Sequence, residues 1–212
     1  ALVGETGSGK TSTINVLMRF YEYQAGDVLI DGHSIREYEI KELRQKMGLV
    51  LQEPFLFYGT VASNIRMFNE SLSDQKVRAA ARFVNADTFI ENLPRGYDSR
   101  VIERGSGYSS GQRQLISFAR TVATDPKILI LDEATANIDT ETEQTIQNSL
   151  NQMRAGRTTI AIAHRLSTIQ NADLILVLSK GRIVERGTND ELMQQHGVYY
   201  DMIQLQNTAH LD

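Results

Sequence analysis

The first eleven residues constrain this chain more than any other stretch. Gly4-Glu5-Thr6-Gly7-Ser8-Gly9-Lys10-Thr11 fits the phosphate-binding pattern G-x-x-x-x-G-K-[ST]. Glycines at 4, 7 and 9 allow positive φ and let backbone N–H groups approach anionic oxygens. The pattern predicts a helix from Lys10 to about Phe20, whose N-terminus adds a positive dipole end at the same point. Lys10 can reach the β- and γ-phosphates, and the hydroxyl of Thr11, with Ser12 beside it, is placed to meet Mg²⁺. A chance glycine-rich turn would lack the apolar lead-in Ala1-Leu2-Val3 and the helical pattern that follows. The expected ligand is a nucleoside triphosphate.

A loop of this kind is fed by a buried strand, and three residues of that strand precede it. The expectation is therefore a piece of a longer polypeptide, with further strands upstream. Composition adds little. Apolar content of 41% and charged content of 23% are ordinary for a soluble globular chain, and 212 residues suffice for a real core. The net charge of −4 gives no reason to expect nucleic-acid binding. The absence of cysteine excludes disulfides and thiolate metal sites, which suits the cytosol. No apolar run approaches the length of a membrane span.

Further along, Asp27 to Gly32 reads as a short strand and turn, and a helix is expected around Ile35 to Lys46 with Ile40, Leu43 and Met47 on one face. Gly48 to Leu51 reads as a buried strand ending on Gln52. That edge is where open α/β sheets place ligands, although Gln52 reads equally well as an ordinary polar strand end. From Pro54 to about Pro126 helical segments dominate: Val61 to Phe68, Ser73 to Phe83, Ala86 to Leu93 and Gly111 to Ala123, the last with an apolar stripe of Leu115, Phe118, Ala119 and Val122. The loop Gly105 to Gln112 leads into that last helix; it is a possible anion site, but from the loop alone a plain N-cap is the simpler reading.

The apolar run Lys127 to Leu131 has the texture of a strand buried on both faces, and it ends in Asp132-Glu133. Adjacent carboxylates there need partners, for which a magnesium ion and a reacting water are suited. Asp139 can cap a helix whose inner face is Ile146, Leu150 and Met153. Thr158 to Ala163 is a further strand ending on His164, at the same sheet edge as Gln52 and Asp132-Glu133. The tail reads as a hairpin turned at Lys180-Gly181, then a T-x-x-E capping box at Thr188 to Glu191, then a helix burying Tyr199, Met202 and Ile203.

Together these motifs resemble the nucleotide-binding domain of ATP-binding cassette (ABC) transporters across essentially the whole chain. Gly4 to Thr11 look like Walker A, Gln52 the Q-loop, Tyr108-Ser109-Ser110-Gly111-Gln112 the signature, and Ile128 to Asp132 Walker B. Glu133 looks like the catalytic glutamate, Ala136 to Asp139 the D-loop, and His164 the switch histidine. Glu103-Arg104-Gly105 and the stretch Gln52 to Val61 resemble the exporter branch, in the region that meets the membrane domain's coupling helices. Two features depart from the pattern. The adenine-stacking aromatic belongs upstream of Walker A, and Tyr108 and Ser110 stand where the signature usually reads Leu and Gly.

The resemblance implies an α/β P-loop core (residues 1–53 and 126–212) with a helical signature subdomain (54–125) and its first strands upstream. It implies two such domains closing head to tail around two ATP molecules. Gly4, Glu5, Thr6, Gly7, Ser8, Gly9, Lys10, Thr11 and Ser12 would hold the phosphates, with Mg²⁺ on Thr11, Gln52 and Asp132. Glu133 would activate water, His164 would steady the γ-phosphate, Ser109, Ser110, Gly111 and Gln112 would meet the partner's ATP, and Asp139 would link the two sites. The domain would sit at the cytoplasmic face of the cell membrane and drive export by an attached membrane domain. Because Ser110 replaces a glycine whose backbone must approach phosphate, the expected assembly is a heterodimer with a second, homologous chain. A soluble DNA-repair, chromosomal or ribosomal ATPase of the same superfamily would carry a long coiled coil or a second cassette, and neither is present. A pure ATP sensor would lack Glu133.

Overall fold

The computed structural model describes residues 1–67, 69–132, 140–162 and 169–209. In chain order the elements are β1 (Leu2–Val3), α1 (Lys10–Leu17), β2 (Leu29–Ile30), β3 (His33–Ser34), α2 (Ile40–Gln45) and β4 (Met47–Val50). Then come β5 (Gly59–Thr60), α3 (Val61–Arg66), α4 (Asp74–Phe83), α5 (Asp87–Glu91), β6 (Arg100–Val101) and α6 (Ser110–Val122). The chain continues through β7 (Ile128–Asp132), α7 (Thr140–Arg154), β8 (Thr158–Ile162), β9 (Ile175–Ser179), β10 (Arg182–Gly187), α8 (Asn189–Gln195) and α9 (Val198–Ala209). The fold is α/β with a mostly parallel sheet, in which β1 pairs with β8 and β9, and β4 with β7, in parallel, while β9 and β10 are antiparallel; β2 with β3 and β5 with β6 form two further antiparallel pairs.

The chain forms two compact units, residues 1–44 with 160–212, and residues 45–159. In the first unit, Leu2 and Val3 pair with Leu176 and Val177, which sets the strand that feeds the glycine-rich loop. Val3, Ile169, Ile175, Val177, Leu192, Tyr199 and Ile203 form its core, and Met202 packs against them, as expected of the tail. The capping box is present: the Thr188 hydroxyl accepts from the Glu191 amide, and Glu191 returns the bond.

Helix α1 stops earlier than the sequence suggests, because Arg19 turns left-handed at φ 52. The Arg44 guanidinium donates to the carbonyls of Met18 (3.0 Å) and Arg19 (2.8 Å), so the terminal carbonyls are satisfied without another turn. The helix expected around Ile35 to Lys46 is broken. A 3-10 turn at Ile35–Glu37 precedes α2, separated from it by extended Tyr38. Leu43 and Met47 are buried, whereas Ile40 faces outward. The strand expected at Asp27 to Gly32 shrinks to a two-residue pairing with β3, turned at Asp31-Gly32.

In the second unit β4 and β7 pair in register from Met47 opposite Ile128 to Val50 opposite Leu131. Leu129 and Ile130 are fully buried, as the unbroken apolar run requires. The expected helices are all present, with tighter ends except that α6 starts at Ser110, one residue earlier than expected. Helix α6 is buried over most of its length at Leu115, Ile116, Phe118 and Ala119, while Val122 is half-buried. Helix α7 buries Ile146, Leu150 and Met153.

Candidate phosphate-binding loop and signature helix

The glycine-rich loop has the backbone its composition demands. Gly4, Gly7 and Gly9 take φ of 146°, 80° and 108°, a region that side-chain-bearing residues rarely enter. Gly4 has a second reason: a Cβ there would fall 2.2 Å from the Leu178 carbonyl oxygen. Lys10 is buried, and its Nζ donates to the carbonyls of Gly4 (2.7 Å) and Glu5 (3.0 Å). The ammonium is thereby held against the loop it closes. Helix α1 starts at Gly9 with no side chain capping its first-turn amides. The Ser8 hydroxyl is buried without a hydrogen-bond partner among the described residues. Exposed Glu5, Thr6, Thr11 and Ser12 rim the loop. A buried cation, an uncapped helix start and an unsatisfied hydroxyl fit a polyphosphate.

The start of α6 differs. The Ser109 hydroxyl accepts from the Gln112 amide (3.1 Å), and Gln112 Oε1 accepts from the Ser109 amide (3.1 Å), closing a capping box. The N-cap reading of this loop therefore describes its geometry. Ser110 is the first helical residue and is absent from the positive-φ positions, so its backbone takes no conformation reserved for glycine. What Ser110 adds is a Cβ and a hydroxyl. Gly111 is buried against α7. Tyr108 is buried, which pushes its phenol pKa up; it donates to the Arg100 carbonyl (3.1 Å), and its own carbonyl accepts from Arg113 (2.7 Å).

Gln52 is exposed two residues beyond β4, and half-buried Asp132 is the last residue of β7. Glu133, Asp139 with its expected capping role, and His164 lie outside the described residues. Among the described residues no helix is long and apolar enough to cross a membrane, and no three His, Asp or Glu cluster as a metal cage.

The sequence reading missed Arg120. Burial pushes its pKa down to about 10, and its guanidinium donates to Asn64 O (2.8 Å), Phe55 O (2.9 Å) and Asn64 Oδ1 (3.0 Å). Asn64, 2% exposed, also accepts from the Phe57 amide and donates to the Phe57 and Thr60 carbonyls. The available signal was an arginine one turn beyond Ile116 on the apolar side of α6.

The sequence profile of the ABC transporter family matches residues 1–136. The chain belongs to the ABC transporter family. It is 64% identical over 212 residues to an ABC transporter ATP-binding protein named exp8 of Streptococcus pneumoniae, covering 100% of this chain and 36% of that protein. It is 58% identical over 206 residues to the probable multidrug resistance ABC transporter ATP-binding/permease protein YheH of Bacillus subtilis, covering 97% of this chain and 31% of that protein. A solved bacterial Atm1-family ABC exporter with ATP bound superposes with a TM-score of 0.88 at 42% identity, over 97% of this chain and 36% of that one. This chain thus spans about a third of the length of these two curated relatives, and it corresponds to the ATP-binding, ATPase domain of an ABC transporter.

Proposed function

We propose that the chain powers export across a membrane by binding and hydrolysing ATP, as the cytoplasmic-face domain of an exporter whose membrane domain meets it through coupling helices. The observation that carries this reading is the loop of three positive-φ glycines closed on buried Lys10, in a chain so similar to an ATP-bound exporter. Gly4 to Ser12 would hold the phosphates, and Thr11, Gln52 and Asp132 would supply oxygens for Mg²⁺, which would neutralise developing phosphate charge. Glu133 accepts a proton from the attacking water, and His164 steadies the γ-phosphate. The working division is an ATPase core of residues 1–53 and 126–212 with a helical signature subdomain of residues 54–125. ATP hydrolysis by the full-length exporter in proteoliposomes should be abolished by Lys10→Met; unchanged turnover would refute the loop's role.

Two such domains close head to tail, each signature (Ser109 to Gln112) completing the other's site, with Asp139 between them. The partner is a different, homologous chain. The extra Cβ and hydroxyl of Ser110 burden the site that this signature completes, and a heterodimer confines that burden to one site. Mass spectrometry of the intact complex from its natural source decides this. Two related chains support it, and one chain paired with itself refutes it.

A further inference from the structure

The β9–β10 hairpin lies against the phosphate-binding loop. Its turn residues Lys180 and Gly181 are both left-handed, at φ 50 and 76, the form that two-residue hairpins favour. This places the Gly181 N–H 2.9 Å from the Ser8 carbonyl oxygen, where it donates a hydrogen bond. The same hairpin touches both ends of the loop. A Cβ on Gly9 would sit 3.5 Å from Gly181 Cα, and one on Gly4 would collide with the Leu178 carbonyl.

The bond matters because of peptide geometry. The Ser8 C=O and the Gly9 N–H belong to one planar trans peptide and point in opposite directions. Anchoring the carbonyl on the hairpin therefore turns the Gly9 N–H away from the hairpin. Gly9 at φ 108 could otherwise let this peptide flip, since glycine crosses φ space at little cost. We infer that Gly181 is a positioning residue for ATP: its N–H holds the Ser8–Gly9 peptide in the phosphate-binding orientation before nucleotide arrives. The inference rests on the reading of Gly4 to Thr11 as the ATP loop.

The test uses the full-length exporter and ATP, with KM, kcat and nucleotide-free melting measured together. Gly181→Asn keeps the donor and tolerates positive φ, and should stay within about threefold of wild type. Gly181→Pro loses the N–H and the turn's φ. It should raise KM for ATP about tenfold or more while kcat at saturating ATP holds within about threefold, because the bound nucleotide then orders the loop at its own expense. If the proline variant fails to fold, a glycine inserted between Lys180 and Gly181 moves the donor within a hairpin that still closes, and the same rise in KM is expected. Wild-type KM in the folded donor-displaced variant, or kcat and melting falling with KM unmoved, overturns the inference. A wild-type KM in Lys10→Met would instead overturn the ATP-loop reading beneath it.

Discussion

A methyl group added to Gly111 would fall 2.3 Å from Cγ2 of Thr142, so the first turn of α6 meets α7 only because residue 111 has no side chain. Rotating χ1 would move that methyl but not the Thr142 Cβ, which would itself lie 3.0 Å away. Gly111→Ala should destabilise the second unit by about 1–3 kcal/mol. Thr142→Ser, which removes that methyl, should restore much of the loss. Thermal melts of the two single variants and the double variant check this; additive effects would mean the two positions do not press on each other.

Arg120 and Asn64 carry an ordering rather than a single number. Arg120→Lys leaves a buried positive charge that cannot reach three acceptors at once, whereas Arg120→Met removes the charge together with the bonds. The lysine variant should therefore be the less stable, by about 1 kcal/mol or more. Asn64→Ala breaks every bond its amide makes and should cost at least about 2 kcal/mol. Denaturant titration gives both comparisons.

Helix α9 is capped from a distance. Both carboxylate oxygens of Glu185, on β10, accept first-turn amides, from Val198 (2.6 Å) and Tyr199 (3.0 Å). Glu185→Ala should cost about 0.5–2 kcal/mol, and hydrogen exchange at residues 198–202 should accelerate before exchange elsewhere in that unit. Unchanged exchange there would contradict the capping role.

Lys127 and then Arg157 hold the Asp125 carboxyl below its ordinary pKa. A depressed carboxylate adds stability that is in place above its unfolded pKa and is lost as pH falls through the lower native value. Asp125 and Lys127 are exposed and only Arg157 is largely buried, so Asp125→Asn should cost less than about 1 kcal/mol near neutrality. Asparagine tolerates the left-handed backbone at this position (φ 47), so the charge is the variable that changes. Wild type and variant should converge as acid titrates Asp125; a gap that persists at low pH would assign the effect to something other than its ionisation.

Local chemistry was the readable part of this chain. The loop at Gly4 to Thr11, the Lys180-Gly181 turn and the Thr188–Glu191 capping box are each written within a few consecutive residues, and each forms as expected. Contacts closed by tertiary packing were not readable. Arg44 ends α1 across 26 residues, and Arg120 reaches Asn64 across 56. At position 110 the approach to phosphate is expected from the sequence to favour glycine, but the capping of α6 by Ser109 makes Ser110 ordinarily helical. The sequence marks Gly181 only as a turn residue; its bond to Ser8 depends on β9 lying beside β1.

The most direct test of the account is ATP turnover by the full-length exporter carrying Glu133→Gln, with bound ATP counted in the same sample. Glutamine keeps the shape of the side chain but cannot take a proton from water. The expected result is turnover slowed by about 10²–10⁴-fold with ATP still bound. Turnover near the wild-type rate would remove Glu133 as the base and contradict the hydrolytic mechanism.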